Sequence, residues 1–378
     1  MQKIENNNDE YQISGLKNYH GINRERAFRL LNADIKWLLP VASAIRDSAK
    51  GRTITYSRKV FLPLSNLCSD RCSYCGYRRE PEEGGGYMRE EEAAALVMAG
   101  ASLGCTEALI MAGERPERRH REARSFLGEG GFSSTADYAH RVAEIALEHG
   151  LLPHINIGLL EENEMARLKE VSASMGLMLE STSLKLFKRG GPHHLSPSKN
   201  PALRLKMMEM AGKLQIPFTT GIIVGIGEGP EDIIDSLFAI RELNEKYGHI
   251  QEVIVQPFRP ERGTPMDDVT GPSLEMVQRV IAVARLVLGP DMNIQSPPNL
   301  VPCWSIIEAG ANDLGGISPL TADYVNSSYP WPDIEILGRE CKGHGYALKK
   351  RLPVYREFIE RQGFLEERIV SAIRRLTA

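Results

Sequence analysis

The chain has few cysteines, no long apolar run and almost no excess of charge of either sign. Six cysteines in 378 residues are too few for a disulfide scaffold. No run approaches the roughly 20 apolar residues that a membrane-spanning helix needs, and the polar start MQKIENNNDEYQ is unlike a signal peptide. Because 46 basic residues face 49 acidic ones, the net charge of −3 gives no general attraction to nucleic acid or anionic lipid. We expect a cytoplasmic protein without nucleic-acid or membrane partners.

The composition is that of a globular protein, with 42% hydrophobic and 25% charged residues. Short apolar segments alternate with amphipathic helical ones, a pattern that favours a parallel sheet covered by helices. The strand-like segments are residues 60–66, 107–113, 152–158, 176–181, 217–225, 252–258, 293–297 and 313–315. Eight strands favour an α/β fold of the TIM-type (β/α)8 barrel, with a doubly wound sheet as the alternative.

The predicted barrel covers residues 51–332 and has helical extensions at both ends. Residues 1–50 are predicted to form a polar tail and then a cap of two helices, with Pro40 between the helices. Residues 333–378 are predicted to form a C-terminal helical extension, because their apolar residues recur at helical spacing.

Three of the six cysteines lie together in the segment LCSDRCSYCGY, as Cys68, Cys72 and Cys75. This segment follows the first predicted strand, and the loops after the strands form the active face of such barrels. Three thiolates in one loop can converge on a metal centre, and sulfur ligands favour zinc or an iron–sulfur cluster. The alternatives are a structural zinc site that borrows a fourth ligand and three unrelated, packed cysteines.

The spacing C-x3-C-x2-C, with Tyr74 directly before the third cysteine, resembles the signature of radical S-adenosylmethionine (SAM) enzymes. The resemblance implies that the three cysteines hold a [4Fe–4S] cluster and that SAM binds the fourth iron, near Tyr74. An electron from the cluster then cleaves SAM into methionine and a 5′-deoxyadenosyl radical. An open coordination site also explains why the loop offers no fourth ligand.

Two further turns resemble SAM-binding turns of the same family. The pair Gly113-Glu114 ends the second predicted strand, and the resemblance implies that Glu114 receives the methionine ammonium while Gly113 permits close approach. The pattern G-x-I-x-G-x-x-E over residues 221–228 implies that Gly225 and Glu228 lie near the adenine. This segment lacks the lysine and serine of a P-loop, so phosphate binding is not predicted.

The fourth predicted strand ends in Glu180-Ser181, and the helix after it carries Arg204. By resemblance, Glu180 and Ser181 contact the SAM ribose and Arg204 lies near the SAM carboxylate. The alternative for Arg204 is a solvated charge on the surface of its helix.

Several polar residues near the strand ends are candidates for contact with a substrate. His154 and Asn156 alternate with apolar residues, so both side chains face the predicted barrel interior. The candidates for catalysis are His154, Asn156, Gln256 and Asp313, with Asn312 and Ser318 beside the last of them. The alternatives are a structural core histidine and, near the final strand, ordinary turn chemistry.

A narrower resemblance rests on six segments, which are FLPLSNLCSDRCSYCGYRR, ALIMAGERPE, PHINIGLL, MLESTS, IVQPFRPERGTPM and GANDLGGISPLTADYVNSSYPWP. They are similar to the family of 7,8-didemethyl-8-hydroxy-5-deazariboflavin synthases, the cyclising part of FO synthase in coenzyme F420 biosynthesis. The segments extend over residues 61–332, which is nearly the whole predicted barrel.

This resemblance implies a carbon–nitrogen lyase that cyclises its substrate and releases ammonia. The implied substrate is 5-amino-5-(4-hydroxybenzyl)-6-(D-ribitylimino)-5,6-dihydrouracil, a tyrosine-derived ribityl-aminouracil adduct that a partner synthase makes. An electron donor such as ferredoxin or flavodoxin is also implied. The alternatives are another radical SAM enzyme, either the tyrosine–uracil coupling partner or a futalosine cyclase, and a non-catalytic iron–sulfur or zinc protein.

Overall fold

The structure is a computed structural model that describes residues 21–377, and its centre is a closed barrel of eight parallel strands. The strands are β1 (Thr53–Ser65), β2 (Glu107–Ala112), β3 (Leu152–Asn156), β4 (Ser174–Gly176), β5 (Phe218–Val224), β6 (Ile250–Pro257), β7 (Asn293–Gln295) and β8 (Asp313–Ile317). Each strand from β2 to β7 pairs with the next, and β1 pairs with both β8 and β2. The predicted (β/α)8 fold is confirmed, while the predicted tail over residues 1–20 lies outside the described range.

Helices surround this barrel and pack against it through their apolar faces. The helices are α1 (Arg24–Leu30), α2 (Ile35–Lys50), α3 (Glu90–Ser102), α4 (Pro116–Arg119), α5 (Arg121–Glu129), α6 (Thr135–Glu148), α7 (Glu162–Lys169), α8 (Pro201–Lys213), α9 (Pro230–Tyr247), α10 (Leu274–Leu288), α11 (Cys303–Glu308), α12 (Ile334–Gly343), α13 (Arg356–Ile359) and α14 (Glu367–Thr377). In α10 the buried residues include Val277, Val280, Ile281 and Ala284, which is the spacing of one helical face. Among the helices of residues 21–377, none is long and apolar enough to cross a membrane.

The two-helix cap forms, but its helices do not meet at Pro40, so that part of the prediction is wrong. The break comes earlier, where the Asp34 side chain caps α2 by accepting a hydrogen bond from the Lys36 amide at 3.0 Å. Pro40 lies inside α2 and removes one hydrogen bond near the beginning of the helix. Burial of Leu38 and Ala42 on either side of it offsets that loss.

The C-terminal extension contains a ninth strand, β9 (Ala347–Arg351), which we did not predict from the sequence. Its sequence ALKKR is charged and lacks the alternation of a half-buried strand. β1 is 13 residues long and pairs with β2 only from Lys59 onward, so its earlier residues 53–57 are free to pair with β9. This pairing places the Arg351 side chain at the floor of the barrel interior.

The carboxyl ends of the strands meet at one side of the barrel, and the site residues lie in and after these ends. β4 contains only residues 174–176, so it is shorter than the predicted strand over 176–181 and begins two residues earlier. Beyond it, Glu180 adopts a left-handed backbone with φ of 66° and forms an isolated bridge to Ile222 of β5. This turn directs the chain over the barrel mouth.

Candidate active site

A cavity of about 350 Å³ opens among the carboxyl ends of the strands, a size typical of small-molecule sites. The cysteines of the loop after β1, here called the cysteine loop, lie toward the mouth of this cavity. Charged side chains from the barrel interior form its floor. Of the predicted site residues, the cavity is lined by Cys68, Cys72, Cys75, Tyr74, Gly113, Glu114, Glu180, Arg204, His154, Asn156 and Gln256.

The three predicted cysteines lie in the loop after β1 as unpaired thiols. Backbone hydrogen bonds hold this loop, from Ser73 N to Pro192 O at 2.9 Å and from Cys75 N to Cys72 O at 3.2 Å. Burial raises the pKa of Cys68 to about 12 and that of Cys72 to about 11, so an ionised thiolate here needs a nearby positive charge.

An iron–sulfur cluster fits this donor set, since its irons supply the positive charge that buried thiolates require. Within residues 21–377, no group of three or more His, Cys, Asp or Glu side chains is arranged to hold a single metal ion. A cluster makes a different demand, because each thiolate binds a separate iron of one cluster and the three sulfurs do not converge on a single ion. The residues present fit such a cluster.

The turn after β2 brings the backbone of Glu114 beside Cys68, the first of these cysteines. The Glu114 amide donates a hydrogen bond to the Cys68 sulfur at 3.1 Å, and one Glu114 carboxylate oxygen accepts from the Leu159 amide at 3.0 Å. A Cβ on Gly113 would lie 2.1 Å from the Leu67 carbonyl oxygen, so only glycine fits there. Burial raises the pKa of Glu114, and an ammonium partner would therefore stabilise its ionised form.

A second group of charges lies across the cavity, where Lys199 donates to the Glu180 carboxylate at 2.5 Å. Burial opposes ionisation of Glu180, but Lys199 and Arg204 together hold its pKa below the ordinary value. Arg204 is only 3% exposed and donates from Nε to the Ser198 carbonyl at 3.0 Å. The alternative reading of Arg204 as a solvated helix charge is therefore wrong.

Sequence reasoning missed Lys199. It lies in the segment SPSKNP before α8, where a single lysine carries no pattern that distinguishes it from a surface charge. Only the fold shows that this segment returns to the cavity wall.

Tyr74 belongs to an apolar patch beside the cysteine loop. Its hydroxyl lies 2.9 Å from Nε2 of His193, a buried residue that the sequence interpretation also missed. The patch is formed by Tyr74, Phe187, Leu186, Ile223, Ile226, Phe258 and Met266. Of these residues, Tyr74, Ile223 and Phe258 line the cavity, and their side chains suit a flat heterocycle such as adenine.

The G-x-I-x-G-x-x-E segment packs behind this patch. Its predicted SAM-contact residues, Gly225 and Glu228, do not line the cavity. The Glu228 carboxylate accepts hydrogen bonds from the Gly225 amide at 2.6 Å and the Ile226 amide at 2.9 Å, which fixes Ile226 in the patch. Ser181 is also turned away, because its hydroxyl accepts from the Ser183 amide at 3.1 Å. Direct contact of Gly225, Glu228 and Ser181 with a cofactor stays a prediction.

The floor of the cavity is charged, which the sequence interpretation did not predict. Lys59 pairs with Glu107 at 2.9 Å, and although burial opposes ionisation, Lys59 helps to lower the pKa of Glu107 to about 2. Gly316 makes room for this lysine, since a Cβ there would lie 1.4 Å from Lys59 Cε. Beside the pair, His154 Nδ1 lies 2.7 Å from the Ser174 hydroxyl, and burial lowers the pKa of His154 to about 4.

Asp313 does not reach the cavity, so the geometry does not support its assignment to catalysis. Its carboxylate is fully buried and pairs with Arg351 at 2.6 Å, and it also accepts a hydrogen bond from Thr55. Arg351 pairs in addition with Glu252 at 2.6 Å, and Glu252 lines the cavity. Burial raises the pKa of Glu252 to about 7 despite the neighbouring guanidinium.

The two residues named beside Asp313 have structural roles. The Asn312 side-chain oxygen accepts from Arg285 and from the Ile294 amide, both at 2.9 Å. Ser318 accepts from the Thr321 amide at 2.9 Å in its own turn. The turn-chemistry alternative therefore describes Ser318, whereas Asn312 joins segments that are distant in the sequence.

Comparison with known proteins supports the class that this geometry indicates. The family model of the Radical SAM superfamily matches residues 62–240, which include the cysteine loop. HydG, a maturase of the [FeFe]-hydrogenase, superposes with a TM-score of 0.74 at 21% identity and covers 90% of this chain and 75% of its own. Methylornithine synthase gives a TM-score of 0.71 at 20% identity over 89% of this chain and 97% of its own. The barrel and its site define a radical SAM enzyme.

Relatives that are similar in sequence identify a narrower family than the superfamily match does. The 7,8-didemethyl-8-hydroxy-5-deazariboflavin synthase of Methanopyrus kandleri is 45% identical over 328 residues, which is 86% of this chain and 98% of the relative. That of Archaeoglobus fulgidus is 47% identical over 311 residues, 82% of this chain and 92% of the relative. The FO synthase of Nocardia farcinica is 43% identical over 375 residues, 94% of this chain but only 43% of that longer protein. The chain belongs to the 7,8-didemethyl-8-hydroxy-5-deazariboflavin synthase family.

Proposed function

We propose that the chain converts 5-amino-5-(4-hydroxybenzyl)-6-(D-ribitylimino)-5,6-dihydrouracil into 7,8-didemethyl-8-hydroxy-5-deazariboflavin, with ring closure, oxidation and loss of ammonia. It would thus act as a carbon–nitrogen lyase in coenzyme F420 biosynthesis. The observation that carries the proposal is the match in sequence to 7,8-didemethyl-8-hydroxy-5-deazariboflavin synthases over most of the barrel. The three thiols and the charged cavity behind them are consistent with it.

When bound, a [4Fe–4S] cluster and SAM would supply a one-electron reductant and a 5′-deoxyadenosyl radical that abstracts hydrogen from the substrate. Cys68, Cys72 and Cys75 would hold the cluster. Glu114 would bind the ammonium of SAM, because its backbone amide contacts the Cys68 sulfur and its buried side chain, which lines the same cavity, gains from a cation.

The rest of SAM would lie against the cavity wall between the cysteine loop and β4. Lys199 and Arg204 place two cations there against one carboxylate, Glu180, which leaves a positive charge for the SAM carboxylate. Glu180 itself can accept hydrogen bonds from ribose hydroxyls. The apolar patch around Tyr74 would receive the adenine.

The substrate would then lie deeper, between SAM and the charged floor. Asn156 and Gln256 offer amides that can pair with the uracil ring, and the floor offers charged partners for the ribityl hydroxyls. Phe61 and Trp331 also line the cavity and stack at a centroid distance of 5.6 Å, which gives a surface for the phenol ring. The enclosed barrel excludes water and competing hydrogen donors from a radical.

Ring closure requires a group that accepts protons, and Glu252 is the residue we assign to this step. It lines the cavity, and its raised pKa of about 7 suits proton exchange at neutral pH. Tyr355 donates to the same carboxylate at 2.9 Å and holds it in place. His154, neutral at this pH, would bind the substrate as a hydrogen-bonding partner.

The chain spans less than half of the longer FO synthase that it matches. A partner synthase would make the adduct. A carrier such as ferredoxin or flavodoxin would supply electrons, and the cytoplasm, as a reducing compartment, would keep the cysteine loop reduced.

The proposal is tested with anaerobically reconstituted protein, SAM, dithionite and chemically verified adduct. We expect fluorescent deazaflavin and about one equivalent of ammonia for each deazaflavin. Deazaflavin without ammonia would refute the lyase assignment. Formation of the adduct from tyrosine and ribityl-aminouracil would instead identify the coupling enzyme.

A further inference from the structure

A second cavity of about 640 Å³ lies on the outer side of the cysteine loop. Residues 71–79, 190–195 and 262–265 contribute to its walls. Cys72, Cys75 and Arg78 line this outer groove as well as the active-site cavity, so these three residues form the partition between them. A molecule in the groove therefore approaches the predicted cluster site from outside the barrel.

The groove is strongly basic, although the chain as a whole carries a net charge of −3. Four arginines and one glutamate line it, namely Arg71, Arg78, Arg79, Arg262 and Glu83. Arg71 and Arg78 share Glu80 at 2.8 and 2.5 Å, and Arg71, Arg79 and Arg262 are exposed. The groove thus has a local positive potential that attracts an acidic surface.

An apolar residue lies at the rim of this basic groove. Leu195 is 53% exposed and lines the groove beside the arginines. A small apolar contact surrounded by charges is typical of weak electron-transfer interfaces, which bury less than about 1,200 Å².

The groove is also formed in advance. The Arg71 amide donates to the Leu195 carbonyl at 3.0 Å, and the Arg79 amide donates to the Asn66 carbonyl at 2.9 Å. These bonds fix the cysteine loop against its neighbours, so docking requires little ordering of the backbone.

We propose that this groove docks an acidic one-electron carrier protein, an inference that rests on the proposed function. One electron would pass from the reduced carrier to a cluster held by the three cysteines, so the carrier is oxidised by one electron and no covalent bond changes. Electron tunnelling through protein falls steeply with distance, and the groove brings a carrier to the outer side of Cys72 and Cys75.

The test uses the double charge reversal Arg79→Glu/Arg262→Glu in the reconstituted enzyme, with flavodoxin as the probe. We expect its Kd for oxidised flavodoxin, and its KM for reduced flavodoxin, to rise about tenfold at low salt, as expected when several rim ion pairs are lost. Deazaflavin formation driven by dithionite should stay unchanged, because this small reductant needs no docking. The single variant Arg262→Glu should show a smaller shift in the same direction.

Two matched controls accompany these variants. Arg79→Lys/Arg262→Lys keeps both charges and should bind flavodoxin as the wild type does. Arg339→Glu/Arg356→Glu reverses two exposed arginines of the C-terminal extension and should have no effect.

An unchanged Kd and KM in both charge-reversal variants would overturn the proposal. An equal loss of dithionite-driven and flavodoxin-driven product would also overturn it, because the arginines would then serve the site itself. The binding measurement needs no deazaflavin, so a failure of the proposed function would not be mistaken for a failure of docking.

Discussion

Replacing Lys199 by methionine tests whether the ion pair between Lys199 and Glu180 stabilises the cavity wall and binds SAM. Lys199 and Glu180 are largely buried, with side chains 16% and 9% exposed, and their charged atoms lie 2.5 Å apart. In Lys199→Met the carboxylate keeps only Arg204, whose nearest nitrogen lies 4.0 Å away. The variant therefore leaves a buried charge with a weaker partner.

The size of the effect follows from this geometry. At an effective dielectric constant of about 20, charges 2.5 Å apart attract by roughly 7 kcal/mol, most of which offsets their desolvation. Removing one partner of a buried pair costs about 3–5 kcal/mol, and because Arg204 compensates in part we expect about 3 kcal/mol. Glu180→Gln/Lys199→Met removes both charges and should cost only about 1–2 kcal/mol relative to the wild type.

Urea unfolding measures the coupling free energy between Glu180 and Lys199 when it is applied to the wild type, both single variants and the double variant. Calorimetric titration with SAM measures the affinity of each protein for SAM. Glu180→Gln leaves Lys199 buried beside Arg204 and should also cost about 3 kcal/mol, so we expect a coupling free energy of about 4–5 kcal/mol. We also expect weaker SAM binding in every variant. Strictly additive free energies of unfolding would refute the ion pair, and unchanged SAM affinity in Lys199→Met would refute the assignment of this wall to SAM.

Three further predictions concern titration, packing and proton transfer. Burial lowers the pKa of His154, His193 and His249 to about 4, so as the pH falls the unfolded chain binds protons before the folded chain does. The free energy of unfolding should therefore decrease, by up to about 4 kcal/mol per pH unit, as the pH falls from about 6.5 to 4. His249→Phe should reduce that slope in unfolding experiments; a slope equal to that of the wild type would contradict the reasoning. Gly113→Ala should displace the cysteine loop and abolish iron incorporation, while Gly128→Ala, with open space around its Cβ, should retain full iron content. Glu252→Gln should lower kcat about 100-fold and remove a pH-rate limb near 7 while 5′-deoxyadenosine still forms; an unaltered pH profile would exclude Glu252 as the base.

The barrel and the cysteine loop were predictable because each leaves a local pattern. Apolar segments alternating with helices indicate parallel strands, and three cysteines within eight residues indicate one site. The Gly113-Glu114 turn follows directly on a strand, so the fold places it beside Cys68. In these cases a local pattern places the residues at the ends of strands, and the barrel brings the ends of adjacent strands together.

The floor of the cavity was not predictable, because it depends on contacts between distant segments. Arg351 lies in a charged strand with no strand-like pattern, and its pairing with β1 is what brings it under the barrel. Once there, it binds the carboxylate of Asp313, which the sequence interpretation assigned to catalysis. Lys199 and His193 likewise lie in loops that approach the site only in the folded chain.

The most direct test of the central claim is the stoichiometry of a single anaerobic reaction. Reconstituted protein with SAM, dithionite and verified adduct should form 5′-deoxyadenosine and deazaflavin in about equal amounts, and Cys72→Ala should form neither. Production of 5′-deoxyadenosine by the wild type without any deazaflavin from the same adduct would contradict the account.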